Sequence, residues 1–399
     1  MNPVLLFGII NLTWKDVINM KNVFIIGARG YHASYGGWET FVSNLVDHYK
    51  DKNVKFYISM YTDDKNENIR NINDNIMVFP IYVKNKGSAT MFFYSIKAFK
   101  YCIKYVEENH IKASYLYVLG LKLFHYLWLY ENRLKALNVT TLVNPDGLEH
   151  ERSKWSYPVK KFFLLSERLM LKHTDMIICD AKGIKKYVDN KYPQLSNRTK
   201  YIAYGSESYD FSLIDEKKVL KEYGLNKGNY CLMVGRCVPE NNYELVIEEF
   251  MNSNIQKDLI IITNLSGSSY YQELLDKTNC IQDKRIHFID GVYDKEKLAV
   301  IRKNAYLYIH GHSVGGTNPS LIEALSLTDL NLLYDVCFNH DVGEYACLYF
   351  KEKGSLVTLL NDQKFLDHKR KMLGKEAKEI VERNFTWDKI VSQYQKIFQ

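Results

Sequence analysis

The strongest constraint on this chain is an alternation: short, β-branched apolar runs are separated by amphipathic stretches of helical length. Continuous apolar runs read as strands covered on both faces, so the pattern predicts an α/β protein with parallel sheets between helical layers. The first series comprises residues 23–27, 54–61, 76–81, 113–120, 140–144 and 176–180. A second begins near 230, with 230–235, 258–263, 286–289, 306–311 and 330–335. Between them lies the polar segment SESYDFSLIDEKKVLKEYGLNKGN, which carries two glycines. A chain of 399 residues exceeds one ordinary core, so two Rossmann-like domains are expected, at 20–205 and 206–380. The stretch FTWDKIVSQYQKIF is amphipathic at helical spacing, and a helix within 381–399 is placed to pack back on the first domain.

Composition narrows the function classes. A hydrophobic share of 46% and a charged share of 25% are those of a soluble globular protein. The net charge of +7 favours anionic partners such as phosphates or acidic lipid, but the lysines are dispersed, without the basic stripe of a nucleic-acid reader. Seven scattered cysteines contain no CxxC pair, so neither a zinc site nor a disulfide framework is expected and the thiols read as buried and reduced, in the cytosol. The opening MNPVLLFGIINLTW is too short to span a bilayer and lacks the charged start of a signal peptide. Met20 directly precedes the first strand, so residues 1–19 read as an upstream extension.

Four loops carry candidate chemistry, each at the end of a predicted strand. GARGYHASYGGWET (27–40) brings Gly36 and Gly37 to a helix start, where bare backbone amides approach a phosphate or sugar closely. Its spacing is not the dinucleotide fingerprint GxGxxG, although Asp63 and Asp64 follow the second strand where a ribose-binding acid would sit. NPDGLEHERSKW (144–155) places Asp146 and Glu149 close enough to share sugar hydroxyls, or to be solvated charges in a turn. In VGRCVPENN (234–242), Arg236 is either a planar grip for a diphosphate or a surface ion-pair partner. The sharpest is HGHSVGGTNPSLIEALS (310–326). There the turn Gly315-Gly316-Thr317-Asn318 precedes Pro319 at a helix start, an anion cradle of amides, with Glu323 one turn in to accept ribose hydroxyls. His310 and His312 lack a third ligand at useful spacing, so no metal site is expected.

In this order and spacing, the four pieces resemble the retaining GT-B enzymes of glycosyltransferase family 4, most closely a bacterial rhamnosyltransferase-like group. GARGYHASYGGWETF resembles the start of that group's N-terminal domain, NPDGLEHERSKWS its central loop, and VGRCVPENN and YIHGHSVGGTNPSLIEA its donor-site signatures. DVCFNHDVGEYACLYF and FTWDKIVSQY are similar to its C-terminal elements, so the likeness runs from about Met20 onward. The resemblance implies two Rossmann-like domains facing across a cleft, donor nucleotide on the second and acceptor on the first. Glu323 matches the second glutamate of the family's E-x7-E motif, Arg236 its diphosphate-binding arginine, and Gly36 and Gly37 its glycine loop. The first glutamate of that motif falls at Gly315, and the usual phosphate-binding lysine falls near Asn241 or Asn242. The donor-binding set expected on this basis is Gly36, Gly37, Arg236, Asn242, His312, Gly315, Gly316, Thr317, Asn318, Ser320 and Glu323.

The implied reaction is sugar transfer with retention, without a metal or other cofactor, from dTDP-rhamnose or another dTDP- or UDP-linked sugar. The implied acceptor is a polyprenyl-diphosphate-linked saccharide in capsule or surface-polysaccharide assembly, which places the chain in the cytoplasm against an anionic membrane. Charge develops on the departing phosphate, so Arg236, the Gly315–Asn318 amides and the Ser320 region are expected to stabilise it. A double displacement would instead need a carboxylate nucleophile, Asp146 or Glu149. A nucleotide-dependent oxidoreductase and a non-catalytic sugar-binding scaffold are the alternatives. For the membrane, the segment 87–108 aligns Phe92, Ile96, Phe99, Ile103 and Val106 on one helical face, flanked by Lys97, Lys100 and Lys104. That pattern suits a helix lying in a lipid interface, or an ordinary domain helix with its stripe in the core.

Overall fold

The apolar runs form strands within a residue or two of the expected bounds. The computed structural model describes residues 20–32, 36–151, 155–266, 268–314 and 316–399, so the reading of residues 1–19 lies outside it. The first sheet contains β1 (Lys21–Ile26), β2 (Val54–Thr62), β3 (Arg70–Asn73), β4 (Ile76–Tyr82), β5 (Ser114–Leu119), β6 (Val139–Asn144), β7 (Met176–Cys179) and β8 (Thr199–Tyr201). Their spatial order is β3-β4-β2-β1-β5-β6-β7-β8, parallel except for the edge strand β3. The second sheet contains β9 (Tyr230–Val234), β10 (Asp258–Ile262), β11 (Ile286–Ile289), β12 (Leu307–His310), β13 (Asn331–Tyr334) and β14 (Leu348–Phe350), all parallel, in the order β11-β10-β9-β12-β13-β14. In each sheet the order reverses beside the first strand, between β1 and β5 and between β9 and β12. Such a reversal splays the following loops apart and opens a crevice at the strands' C-terminal ends.

Helix Thr90–Glu108 packs its stripe inward. Phe99, Ile103 and Val106 are buried with Phe24, Tyr57 and Phe79 of the first sheet, and Ile96 packs against the same cluster. Burial against a ready apolar sheet face contributes roughly 25 cal/mol per Å², and the sheet claims this stripe. Of the two readings open for that face, the core placement is the one found for Phe99, Ile103 and Val106. The lysines remain outside. Lys97 donates to the Tyr82 carbonyl at 3.0 Å, Lys100 lies 5.2 Å above the Tyr126 ring, and Lys104 pairs with Glu108 at 3.5 Å.

The C-terminal helix Trp387–Gln395 crosses to the first domain. Trp387, Ile390, Val391, Tyr394 and Phe398 are buried with Phe41, Tyr117 and Tyr204. The Tyr117 and Tyr394 hydroxyls meet at 2.9 Å, and the Ser206 amide donates to the Phe385 carbonyl at 2.6 Å. Gly205 is bare because the Trp387 indole lies where its side chain would stand, 2.5 Å from an added Cβ. Among the described residues no helix is long and apolar enough to cross a membrane.

Candidate active site

Both crevices open into one cleft of about 1160 Å³, lined from the first domain by Gly36, Gly37, Asp146 and Glu149. The second domain contributes Arg236, His312, Gly316, Thr317, Asn318, Ser320 and Glu323. All of these were expected from the sequence. Gly315 lies outside the described residues. Asn242 is a correction: it does not line the cleft. The turn Pro239–Asn241 ends with Asn242 in the left-handed region (φ 52°), which sends its amide to the Gly311 carbonyl at 2.6 Å. Its neighbour Asn241 faces the cleft instead, donating to the Arg236 carbonyl at 2.7 Å and accepting from His312 Nδ1 at 2.5 Å. These two bonds fix both the amide orientation and a proton on His312 Nδ1.

The Arg236 side chain is exposed at the end of β9, with no ion pair to any described residue. A guanidinium left open over the switch point of a parallel sheet is placed for an anionic ligand. The helix Pro319–Leu327 starts at the wall of the same cleft, capped by Asn318, whose side chain accepts from the Ser320 amide at 2.9 Å. That cap removes the Ser320 amide from the set of donors available to a ligand, and the Ser320 hydroxyl is held by Arg302 at 2.9 Å and Tyr308 at 3.1 Å. The expected contribution of Ser320 is thus reduced to holding its neighbours.

Glu323 does not stand alone. Its carboxylate pairs with Arg302 at 2.5 Å, the guanidinium only 3% exposed and the carboxylate 20%. Arg302 comes from helix Lys295–Asn304, which supports the turn from behind. Its part was invisible in the sequence because nothing local distinguishes an inward arginine among helical lysines. One face of Glu323 is tied by this pair while the rest opens to the cleft, the arrangement needed to present acceptor oxygens to a vicinal diol.

In the first domain, the Gly36–Gly37 loop opens the helix Gly37–Asp47, with Gly36 at φ 128°. The helix start already holds a carboxylate: Glu39 accepts from the Arg29 amide at 2.7 Å, and a side chain at Gly36 would collide with it. Part of the positive potential expected to face a phosphate is therefore compensated internally. Asp146 adopts φ 62°, its amide donating to the Asn144 side chain at 2.8 Å, and Glu149 accepts from the Trp155 indole at 3.0 Å. Deeper lies Asp180, just past β7, a cleft-lining carboxyl that the sequence reading passed over. Burial and the nearby Asp146 push it up to about 7. His310, buried at the cleft floor, is held well below the ordinary imidazole range by desolvation and by His312. Among the described residues no three His, Cys, Asp or Glu side chains gather as metal ligands.

Residues 20–207 match the family model of a domain of unknown function, DUF1972. An uncharacterized glycosyltransferase of Methanocaldococcus jannaschii is 24% identical over 407 residues, covering 95% of this chain and 99% of that protein. The sucrose-phosphate synthase of Thermosynechococcus elongatus superposes with a TM-score of 0.72 at 16% identity, covering 95% of this chain and 98% of that one. The Anabaena protein HepE in complex with UDP gives 0.67 at 14% identity, covering 95% and 99%. At such identities likeness speaks for architecture. With two doubly wound α/β domains sharing one cleft and superposing on these proteins over nearly their whole lengths, the chain has the GT-B fold.

Proposed function

We propose that this chain is a glycosyltransferase that takes its sugar from a nucleoside diphosphate donor held mainly by the second domain. The observation that carries this reading is that the open Arg236 guanidinium, the Gly316–Asn318 turn and the Arg302-tied Glu323 line the same cleft, on loops that follow the neighbouring strands β9 and β12. A diphosphate between Arg236 and the turn amides would be bridged from both sides, and Glu323 would accept the ribose hydroxyls. Expelling the nucleoside diphosphate builds charge on the leaving oxygen, and fixed donors aimed there supply catalysis without reorganisation. No metal is assigned a part. Front-face attack, with the departing phosphate taking the acceptor's proton, gives retention without a protein base. Asp146 and Glu149 then orient the acceptor; if the reaction is a double displacement, one of them is the nucleophile. HepE, at 14% identity, is a structure in complex with UDP. That supports a UDP- or dTDP-linked donor here, with dTDP-rhamnose the sugar favoured by the sequence resemblance.

For the acceptor we favour a lipid-linked saccharide in surface-polysaccharide synthesis, used at the inner face of the membrane. Met91, Phe92, Trp155 and Phe163 line the first domain's side of the cleft. Phe92 continues to Phe93, at 6.1 Å between rings, which is 40% exposed beneath Lys86, and Tyr157 nearby in sequence to Trp155 is 71% exposed beside Lys161. Aromatics with amines beside them suit an anionic headgroup layer. This patch, at the N-terminal ends of helices Thr90–Glu108 and Tyr157–Lys172, takes the place of the buried Phe99, Ile103 and Val106 face as the membrane-facing candidate.

The deciding experiment is a panel of nucleotide sugars scored by thermal shift and by slow donor hydrolysis. A ligand at 100 times its Kd adds roughly 2.7 kcal/mol to stability. Stabilisation by a UDP- or dTDP-sugar with release of nucleoside diphosphate supports the reading. Stabilisation by NAD(P) alone would replace it with the oxidoreductase, and sugar binding without turnover with the scaffold.

A further inference from the structure

Each domain offers the cleft one arginine from the loop that follows its first strand. Arg236 stands just past β9, and Arg29 just past β1. Both loops adjoin the point where their sheet reverses its order, between β9 and β12 and between β1 and β5. Gly27 shows how close that approach is: an added Cβ would stand 2.2 Å from the Leu119 carbonyl oxygen at the end of β5. The main chain of Arg29 is pinned on both sides. Its amide donates to Glu39 at 2.7 Å, and its carbonyl accepts from the Tyr61 amide at 2.9 Å. The side chain is exposed, and its guanidinium makes no hydrogen bond or ion pair with any described residue. The carboxylates of the helix Gly37–Asp47 are committed elsewhere, Glu39 to that amide and Asp47 to the Tyr31 hydroxyl and to His32, the latter at 3.2 Å. Arginines away from the cleft are commonly tied, as Arg70 is to Glu67, Arg133 to Glu107, Arg285 to Asp283 and Arg383 to Glu344.

We infer that Arg29 is an anion-binding residue of the acceptor site, so that the acceptor itself carries a phosphate or diphosphate group. This rests on the proposed transferase reading, in which Arg236 is taken by the donor diphosphate. A guanidinium keeps its charge at every working pH, and its planar fork matches two phosphate oxygens at once. Two phosphorylated substrates brought into one cleft repel each other, and a cation from each domain offsets that repulsion. Lys122, whose amine lies 4.5 Å from the centre of the Trp38 ring, adds a further positive charge to the first domain's share of the lining. Cleft walls of low dielectric focus this field on the space between them. Asp146 and Glu149, on the loop after β6, are left to meet the acceptor's hydroxyls. The phosphate has two possible sources, a lipid-linked diphosphate or a soluble phosphate ester, and the chemistry that Arg29 recognises is common to both.

Calorimetric titration of the whole protein with inorganic diphosphate is the test. In saturating UDP, wild type should still bind diphosphate, and Arg29→Gln about tenfold more weakly. Arg168→Gln, which alters an exposed arginine outside the cleft, should bind as wild type does. Farnesyl diphosphate then separates the sources: tighter binding than inorganic diphosphate identifies a lipid-linked acceptor, and no gain from the farnesyl chain a soluble one. If wild type binds no UDP, the donor-site reading fails, and titration of Arg236→Gln with and without Arg29→Gln still judges Arg29 by itself. Equal diphosphate binding by wild type and Arg29→Gln, or a loss of UDP affinity in Arg29→Gln to match that in Arg236→Gln, would overturn the inference.

Discussion

Replacing Arg302 with methionine removes the buried half of the pair that holds Glu323. Taking one partner from a buried ion pair costs about 3–5 kcal/mol, because the other charge stays behind without compensation. Glu323 retains 20% exposure, so solvent relieves part of this and the lower end, about 3 kcal/mol, is expected. Glu323→Gln strands the guanidinium, which is only 3% exposed, and should cost about 4 kcal/mol on the same scale. At roughly 2–4 °C per kcal/mol for a domain of this size, the first change lowers the melting temperature by about 6–12 °C. The double variant Arg302→Met/Glu323→Gln buries no lone charge and should recover most of the loss, with a coupling energy above about 2 kcal/mol. Calorimetry of the four proteins is the assay, resolving the domains if they melt separately. Single losses that simply add, within about 0.5 kcal/mol, would show that Glu323 is not held by Arg302.

Arg236→Lys should fold normally yet lose most transfer activity, since a point charge cannot reproduce two planar contacts to a diphosphate; near-normal turnover would remove Arg236 from the site. Glu323→Ala should abolish donor hydrolysis and also destabilise the protein through the stranded Arg302, so activity is to be read below the shifted melting range. Transfer should persist in excess EDTA, and loss restored by Mn²⁺ or Mg²⁺ would show a metal-dependent reaction. Sedimentation with anionic vesicles should weaken with salt and in Phe93→Ser/Lys86→Glu/Lys161→Glu, whereas Lys104→Glu should bind as wild type does; the opposite ranking would move the anchor to the lysine flank of helix Thr90–Glu108.

The strands were legible where short apolar or β-branched runs stand between turn formers, because most of these parallel strands are buried on both faces. The three that escaped have no such signature. β3 is RNIN, wholly exposed at an antiparallel edge, while β8 and β14 contribute only TKY and LYF. In the site, the glycine turn and Arg236 were readable because their chemistry is local to a strand end. Asn241 and Asn242 exchanged roles because a single left-handed residue decides which amide turns inward. Arg302 and Asp180 reach the cleft through tertiary packing that the sequence does not display, one from the helix Lys295–Asn304, the other from the end of β7 in the first domain. The stripe of helix Thr90–Glu108 shows the limit of periodicity: it reports that one face is apolar, and a sheet or a lipid layer satisfies it equally.

The return of the C-terminal helix to the first domain has a consequence for how the protein is made. Phe41, Tyr117 and Tyr204 leave the ribosome long before Trp387 and Tyr394, which later cover them. At about 5–20 residues per second, that apolar face waits on the order of tens of seconds for its lid. The first domain is thus a complete sheet but an incomplete folding unit, and the span 20–207 produced alone would keep a greasy, tyrosine-rich surface open to self-association. Adding the helix 387–395 in trans, as a peptide, would close it.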